Sequence, residues 1–463
     1  MIDINLIRNE PAKVKANLKK RKDPELLKRI DLVKEKDEAW RKLTYELQEL
    51  RHKKNSITLE IRELKKKGQK IDTKIKEMKA LPKKIADTEE KEQKLRKEIR
   101  QEMMRIPNLL HETVPYGKDA DDNAEVRKWG VTKKPGFDLK NHIELAEQLG
   151  VVDFDRSSKL AGSGFYFLKG ELAMLNQALV RFAIDFMVKK GYTLVEPPLM
   201  MNKKSYEGVV DLGDFETVMY KIEGDDLYLI ATSEHPLVGQ YMDEVIDEKD
   251  IPMKLVGYSM CFRREIGAHG IDTKGLFRRH QFSKVEQVII CKPEDSWKLH
   301  EELVKNGEDI LKALKIPYRV VNVCTGDLGT VAAKKYDTEY WSPRQQKYCE
   351  IFSASNCTDY QTRRLNIRCG KIGGQKTLTH SLNATALPTS TRALVAILEN
   401  CQQKDGTVKV PDVLVPYMLG IKVIGKPKKE KKPAARLKSK QKLKPKKKQA
   451  KPLKSTRKAK KKR

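Results

Sequence analysis

The apolar positions between residues 24 and 103 recur with a helical period. Ile30, Val33, Trp40, Leu43, Leu47, Leu50, Ile57, Ile61 and Leu64 fall three, four or seven apart, and Asp37 and Lys54 stand at positions the seam skips. Asp23-Pro24 supplies an N-cap followed by proline at the first helical position, and no breaker intervenes before Lys67. Gly68 interrupts the pattern. It resumes with Ile71, Ile75, Met78, Ile85, Leu95 and Ile99, less regularly around Pro82. The spacing predicts two helices of ~35–40 residues joined by a short turn, each covering the other's seam, in an arm ~55 Å long. Residues 1–22 read as a short helical lead.

Downstream the period changes. Residues 106–150 are rich in Pro, Gly and acid and read as a hinge without a site. From about 151 the chain reads as one α+β domain. An apolar helix over roughly 171–190 is capped by Gly191, and Pro197-Pro198 end the strand that starts at Thr193. A strand from Tyr228 then delivers Thr232, Ser233 and Glu234 into a turn before a helix over 236–246, where capping is the ordinary use of Thr and Ser. Residues 257–290 read as two apolar strands around a long polar loop. The first strand ends in Phe262-Arg263-Arg264-Glu265, the loop holds Gly267, Gly270 and Gly275, and Arg278 opens the second. Alternation puts Phe282, Lys284 and Glu286 on one face. A solvated hairpin edge would show the same mixture. Arg263 and Arg278, however, flank the loop, where a hairpin brings both over one polyphosphate, and Phe282 offers a ring for a base.

Two later segments carry chemistry. A helix over about 293–314 leads to a strand at Val320 and then to Tyr348–Cys357, where Glu350 and Ser353 offer a carboxylate and a hydroxyl, hard ligands suited to Mg²⁺. Asn383 and Thr385 precede a turn, after which Thr391-Arg392 open an apolar helix. A cation at a helix N-terminus opposes the macrodipole, and an anionic partner would remove the conflict.

Charge changes the picture at both ends. The 463 residues carry +31; the 43 from Ile421 hold 22 Lys or Arg against one Glu, leaving +10 on residues 1–420. Even the body suits a polyanion, although a sticky tail on a soluble protein would look similar. The tail is nearly all Lys, Pro, Ala and Gln and reads as disordered over 426–463, able to bind RNA or to serve as a nuclear or assembly address. The arm's Arg51, His52, Lys53, Lys54, Arg62, Lys65, Lys66 and Lys67 read either as a solvated coiled-coil surface or as an electrostatic arm along a nucleic-acid backbone. Seven cysteines without a CxxC imply free thiols in a reducing compartment. No apolar run approaches ~18 residues, and the first residues lack a signal-peptide core, so the expectation is cytoplasm and no membrane.

The stretch GLFRRHQFSKVE and the Phe-Arg-x-Glu strand before it resemble motif 2 of class II aminoacyl-tRNA synthetases, the seryl-tRNA synthetase family in particular. The resemblance extends over roughly 1–425: GYTLVEPPLM resembles motif 1, with its proline at Pro198; residues 380–400 resemble motif 3, with its arginine at Arg392; and Thr232-Ser233-Glu234 resembles the family's serine-pocket loop. It implies an antiparallel sheet flanked by helices, a homodimer, and four segments. These are a tRNA-binding domain over 1–105 with its arm at about 27–103, a hinge at 106–150, a catalytic domain over 151–425 and the tail. It also implies ATP as substrate, held by Arg263, Glu265, Arg278, Phe282, Glu350, Ile351, Phe352, Ser353 and Arg392. L-serine would lie among Thr232, Glu234, Arg263, Glu286, Asn383 and Thr385, and Mg²⁺ would lie on Glu350 and Ser353. Arg263 and Arg392 would act directly on the phosphates, and the arm would grip the long variable arm of serine tRNA. The family usually has Ser at Phe352 and Cys at Ala354. Two rivals stay open: a threonyl or prolyl enzyme, disfavoured by only ~25 residues between motif 3 and the tail, and a non-enzymatic RNA-binding relative, which would have lost a motif arginine.

Overall fold

The computed structural model describes residues 1–132, 134–211, 217–265, 275–371 and 373–425. Gly267, Gly270 and the tail over 426–463 lie outside the described residues.

Two helices form the arm, α1 (Pro24–Lys66) and α2 (Asp72–Met104). Asp23 caps α1 by accepting from the Glu25 amide, and α2 continues through Pro82. Their shared seam holds two apolar clusters. Leu47, Leu50, Ile57, Leu81 and Ile85 fill the outer part. Ile30, Val33, Ile99 and Met103 fill the base, together with Ile7, Val14 and Leu18 from two short leading helices and Ile106 and Tyr360 from the body. The two skipped positions differ. Lys54 is exposed, whereas Asp37 is buried and held by Arg8 at 2.6 Å and Arg41 at 3.1 Å. Across the arm, Lys36 pairs with Glu98 at 2.7 Å and Arg51 with Glu89 at 2.7 Å.

The body is built on an eight-stranded sheet. In chain order the strands are β1 (Ala124–Trp129), β2 (Thr193–Val195), β3 (Met253–Phe262), β4 (Gln281–Cys291), β5 (Tyr318–Asn322), β6 (Lys334–Ser342), β7 (Lys347–Asn356) and β8 (His380–Leu387). Across the sheet they run β1-β5-β6-β7-β8-β4-β3-β2. Every pairing is antiparallel except that of the edge strand β2 with β3. Helices α3 (Gly170–Lys189), α4 (Ser296–Ala313) and α5 (Arg392–Asn400) contribute Leu175, Leu179, Ala183, Leu303, Ile310, Leu394 and Ile397 to the main core, against Val285 and Ile289 of β4. The sheet's other face lies open in its middle, between the Thr232–Glu234 turn and the N-terminus of α5. The helix after that turn is shorter than its sequence suggests, Glu234–Gly239: the Tyr241 and Met242 amides bond three residues back, and at Asp243 (φ +63°) the amide turns to the Leu365 carbonyl.

Candidate active site

The residues singled out from the sequence converge on one cleft of ≈ 620 Å³ over β3, β4, β8 and β7. Thr232, Glu234, Arg263, Glu265, Arg278, Phe282, Glu286, Glu350, Ile351, Phe352, Ser353, Asn383, Thr385 and Arg392 all line it. They arrive from five separate stretches, and the strand register explains how.

At one end the alternation of β4 sets Phe282, Lys284 and Glu286 side by side, all buried. Antiparallel pairing places Gly257 of β3 opposite Glu286 on one flank and Thr385 of β8 on the other. Glu286 Oε2 accepts from Thr385 Oγ1 at 2.9 Å and lies 2.6 Å from Lys284 Nζ. Gly257 permits the Thr232–Glu234 turn to sit down on the sheet, since a Cβ there would come within 2.8 Å of Ser233 Oγ. The Thr232 hydroxyl accepts from the Glu234 amide at 3.2 Å, and Gln361 Nε2 donates to Glu234 Oε1 at 2.8 Å. Burial, reinforced by the charge of Glu286, pushes the Glu234 carboxyl up to about 7. Asn383 lies beside this group, its Nδ2 3.6 Å from Cys357 Sγ. The result is a small, polar corner lined by two carboxyls, two hydroxyls, an amide and the Lys284 ammonium.

The other end is cationic and aromatic. The Arg263 amide donates to the His280 carbonyl at 2.9 Å, which closes the hairpin. Its guanidinium stands 5.3 Å from the Phe282 ring centre, and Nε donates to the Ala231 carbonyl at 3.3 Å. Glu265 sits at φ +42°, an uncommon conformation for a side chain of this kind, and its Oε2 lies 3.4 Å from Arg278 Nη1. Arg392, the first residue of α5, donates from Nη1 to Glu350 Oε1 at 2.6 Å and stands 5.2 Å from the Phe277 ring centre. Glu350 thus answers the dipole conflict at that helix start. Burial works to raise the Glu350 carboxyl, but Arg392 and Lys335 outweigh it and hold the group below its ordinary value.

Glu350 and Ser353 are three apart, so a regular strand would place them on opposite faces. A bulge in the β6–β7 pairing prevents this. Thr338 faces Phe352 while Glu339 faces Glu350, leaving Ile351 as an extra residue. Ser353 therefore shares the face of its partner Asp337, and Glu350 that of Glu339, which is the same face of β6. Between them Ile351 and Phe352 both enter the main core, so what they offer to the cleft is main chain. This disposes of the departures at Phe352 and Ala354, whose side chains belong to the core. The Phe352 ring fills the space a side chain at Gly307 of α4 would need.

Three further side chains belong to the site but carried no assignment from the sequence. Lys284 was visible on the β4 face; its short contact with Glu286 was not. Lys335 lines the cleft and pairs with Asp337 at 3.1 Å. Burial pushes the Asp337 carboxyl up to about 7 against the pull of Lys335. Gln361 comes from a short helix more than 120 residues after Glu234, and no local signal announces it.

An antiparallel floor of four strands, with arginines at the hairpin and at a helix start, each beside a phenylalanine ring, is the arrangement of a class II aminoacyl-tRNA synthetase core. Residues 217–401 match the tRNA synthetase class II core domain (G, H, P, S and T), and residues 1–110 match the seryl-tRNA synthetase N-terminal domain. The serine–tRNA ligase of Methanocella arvoryzae is 53% identical over 92% of this chain and 100% of its own length. That of Methanocorpusculum labreanum is 54% identical with the same coverage. The seryl-tRNA synthetase of Pyrococcus horikoshii, solved in complex with ATP, superposes with a TM-score of 0.87 at 46% identity, covering 92% of this chain and 99% of that one. The chain belongs to the seryl-tRNA synthetase family, the serine–tRNA ligases.

Proposed function

We propose that this cleft joins L-serine to ATP and then passes the seryl group to the 3′ end of serine tRNA. The observation that carries the reading is the division of one cleft into a cationic, aromatic end and an acidic, hydroxyl-bearing corner, with Arg263 between them. In the first step a serine carboxylate oxygen attacks the α-phosphorus in line. The bond to the bridging oxygen breaks, and seryl-adenylate and pyrophosphate result. In the second step a terminal ribose hydroxyl of the tRNA attacks the acyl carbon and AMP leaves. No side-chain nucleophile is needed; positioning and charge neutralisation suffice. Arg263 meets the α-phosphate, Arg278 and Arg392 the outer phosphates, and Phe282 the adenine face, with Glu265 on the adenine side. Glu234 and Thr232 take the serine ammonium, while Glu286, Thr385 and Asn383 read the hydroxyl. Alanine leaves those polar groups unpaired and threonine is too large.

The donor set at Glu350 and Ser353, one carboxylate and one hydroxyl on a common face, fits Mg²⁺, which keeps phosphate oxygens and waters as its other ligands and would neutralise phosphate charge there. Residues 1–105 would serve tRNA binding through the arm, 106–150 a hinge, and 151–425 catalysis. The arm's cations favour contact with the tRNA's long variable arm. The short parallel edge strand β2, beside the exposed Leu194, Leu199 and Met200, favours a homodimer contact there. No helix among the described residues is long and apolar enough to cross a membrane, in keeping with work in the cytoplasm. ATP–pyrophosphate exchange with serine, threonine, alanine and proline tests the reading. Exchange should follow serine alone; equal support by threonine or proline would refute it.

A further inference from the structure

The Glu234 carboxyl is held by a side chain that lies outside the lining of the cleft. Gln361 is the second residue of a short helix, Tyr360–Leu365, and is buried. Its Oε1 accepts from Ser381 Oγ at 2.6 Å. Its Nε2 donates to the Val209 carbonyl at 2.9 Å and to Glu234 Oε1 at 2.8 Å. A carboxamide can be turned end for end, and here the neighbours decide which end is which. The Val209 carbonyl can only accept, so the nitrogen must face it, and the second N–H of that nitrogen is then aimed at Glu234. Three segments fix this one amide: the helix Lys203–Val209, strand β8 and the helix that carries it. Other groups face Glu234 as well. Glu286 and Lys284 do so from β4, Arg263 from the end of β3, Tyr206 from the helix Lys203–Val209 and Cys357 from the end of β7. On its own turn, His235 places Nδ1 3.0 Å from the Tyr206 hydroxyl, and burial keeps that imidazole neutral. Burial and Glu286 favour the protonated acid, while Gln361, Lys284 and Arg263 favour the carboxylate. Among the described residues, Gln361 is the side chain that hydrogen-bonds the Glu234 carboxyl, and Oε2 is left for a ligand.

We propose that Gln361 is a positioning residue for serine: it aims the Glu234 carboxylate and favours its ionised form, so that the cleft admits an ammonium near neutral pH. The proposal rests on the ligase reading and adds to it a residue that acts on the substrate through another. An ammonium needs a charged acceptor in a fixed place, and a protonated carboxyl offers neither the charge nor two free oxygens. The acid titrates at about 7, so close to neutrality a single donor decides most of its state. Glutamine suits the task because it does not titrate. Its support is the same at every pH, whereas a histidine in that place would change its own charge over the same range. The bonds of the amide to Ser381 and Val209 are already made, so it is set before substrate arrives and nothing has to be broken to use it.

The test uses the full chain carrying Gln361→Met, which keeps the length of the side chain and removes both ends of the amide. Serine-dependent pyrophosphate exchange is measured from about pH 6 to about pH 9, with kcat and KM for serine and KM for ATP. The acid limb of kcat/KM for serine should move up by about one pH unit, the tenfold change in proton affinity that one hydrogen bond to a carboxylate carries. With the limb at about 7 in the unaltered chain, the variant should be about fivefold slower at neutral pH and within about 1.5-fold two units higher. The serine ammonium loses its own proton toward alkaline pH and sets the falling limb on that side for both proteins alike. The loss should fall on the KM for serine, with kcat and the KM for ATP held. A limb that stays in place overturns the assignment. So does a loss of equal size at every pH, which is what a purely structural support would give. Should Gln361→Met fail to fold, Ser381→Ala, which frees the oxygen end of the amide, is read in the same way. It should move the limb in the same direction by about half as much, and an unmoved limb overturns the assignment. Absence of serine-dependent exchange in the unaltered chain would instead sink the ligase reading, and the two failures are therefore distinct.

Discussion

Glu286 is the residue whose replacement tests most of the reasoning at once. One of its oxygens receives Thr385 Oγ1 at 2.9 Å and faces Lys284 Nζ at 2.6 Å, and both Lys284 and Glu286 are less than a tenth exposed. Glu286→Ala therefore does two things. It removes the acceptor proposed to read the serine hydroxyl, and it leaves the Lys284 ammonium buried without its counter-charge. The second effect costs about 3–5 kcal/mol of stability, the usual penalty for breaking one side of a buried pair. Glu286→Gln keeps the shape and an acceptor and should cost less, while losing a charged hydrogen bond of about 1.5–3 kcal/mol in serine binding. The double change Lys284→Met with Glu286→Leu removes both charges and should recover most of the stability lost in Glu286→Ala, though not activity. Thermal unfolding is measured for the three variants, and for Glu286→Gln the KM values for serine and ATP in pyrophosphate exchange. The serine value should rise and the ATP value should hold. Equal melting temperatures for Glu286→Ala and the double variant would refute the buried-charge argument. A rise in the ATP value alone would refute the pocket assignment.

Arg263→Ala should cut exchange by about 3 kcal/mol or more without unfolding the chain, because its guanidinium is the charge proposed to meet the reacting phosphate; near-normal exchange in the folded variant speaks against that role. Glu234 should impose an acid limb on kcat/KM for serine, falling about tenfold per pH unit below its value of about 7, because a neutral carboxyl cannot hold an ammonium; Glu234→Gln should abolish the limb. The stability of the empty protein runs the other way: this carboxyl titrates above its ordinary 4.5, so its contribution is full below that value and is lost as pH rises through 7. Excising about residues 45–87 and closing the arm with a short turn should leave exchange intact and depress charging sharply, measured in protein ending at Gly420 so that the lysine tail adds no RNA affinity; unchanged charging would make the arm a structural or partner-binding element.

That excision spares the base of the arm for a reason the sequence hid. The heptad pattern announced two helices and their turn, and local chemistry placed Asp23 and Gly68 at the breaks. It did not announce that Ile30, Val33, Ile99 and Met103 pack with Tyr360, so that removing all of 27–103 would open a core shared with the body. Asp37 looked like a skipped position and is a buried anion served by two arginines, one from the leading helix. In the site, the β4 face was readable because alternation is local. Lys335 beside Asp337 follows from the same alternation on β6, but that this face opens on the cleft depends on strand register, and Gln361 beside Glu234 depends on a contact between distant segments.

The bulge at Ile351 gives β7 a phase as well as a composition. On the near side of it, even-numbered residues look into the cleft; beyond it, odd-numbered ones do. Substitutions along this strand change one side chain each and leave the phase alone. Loss or gain of a single residue here would shift it, and either Glu350 or Ser353 would turn into the core while Ile351 or Phe352 turned into the cationic end of the cleft. The count of residues in this strand is thus under tighter constraint than the identity of most of them. Ile351 serves the cleft by being present, with a side chain that never faces it.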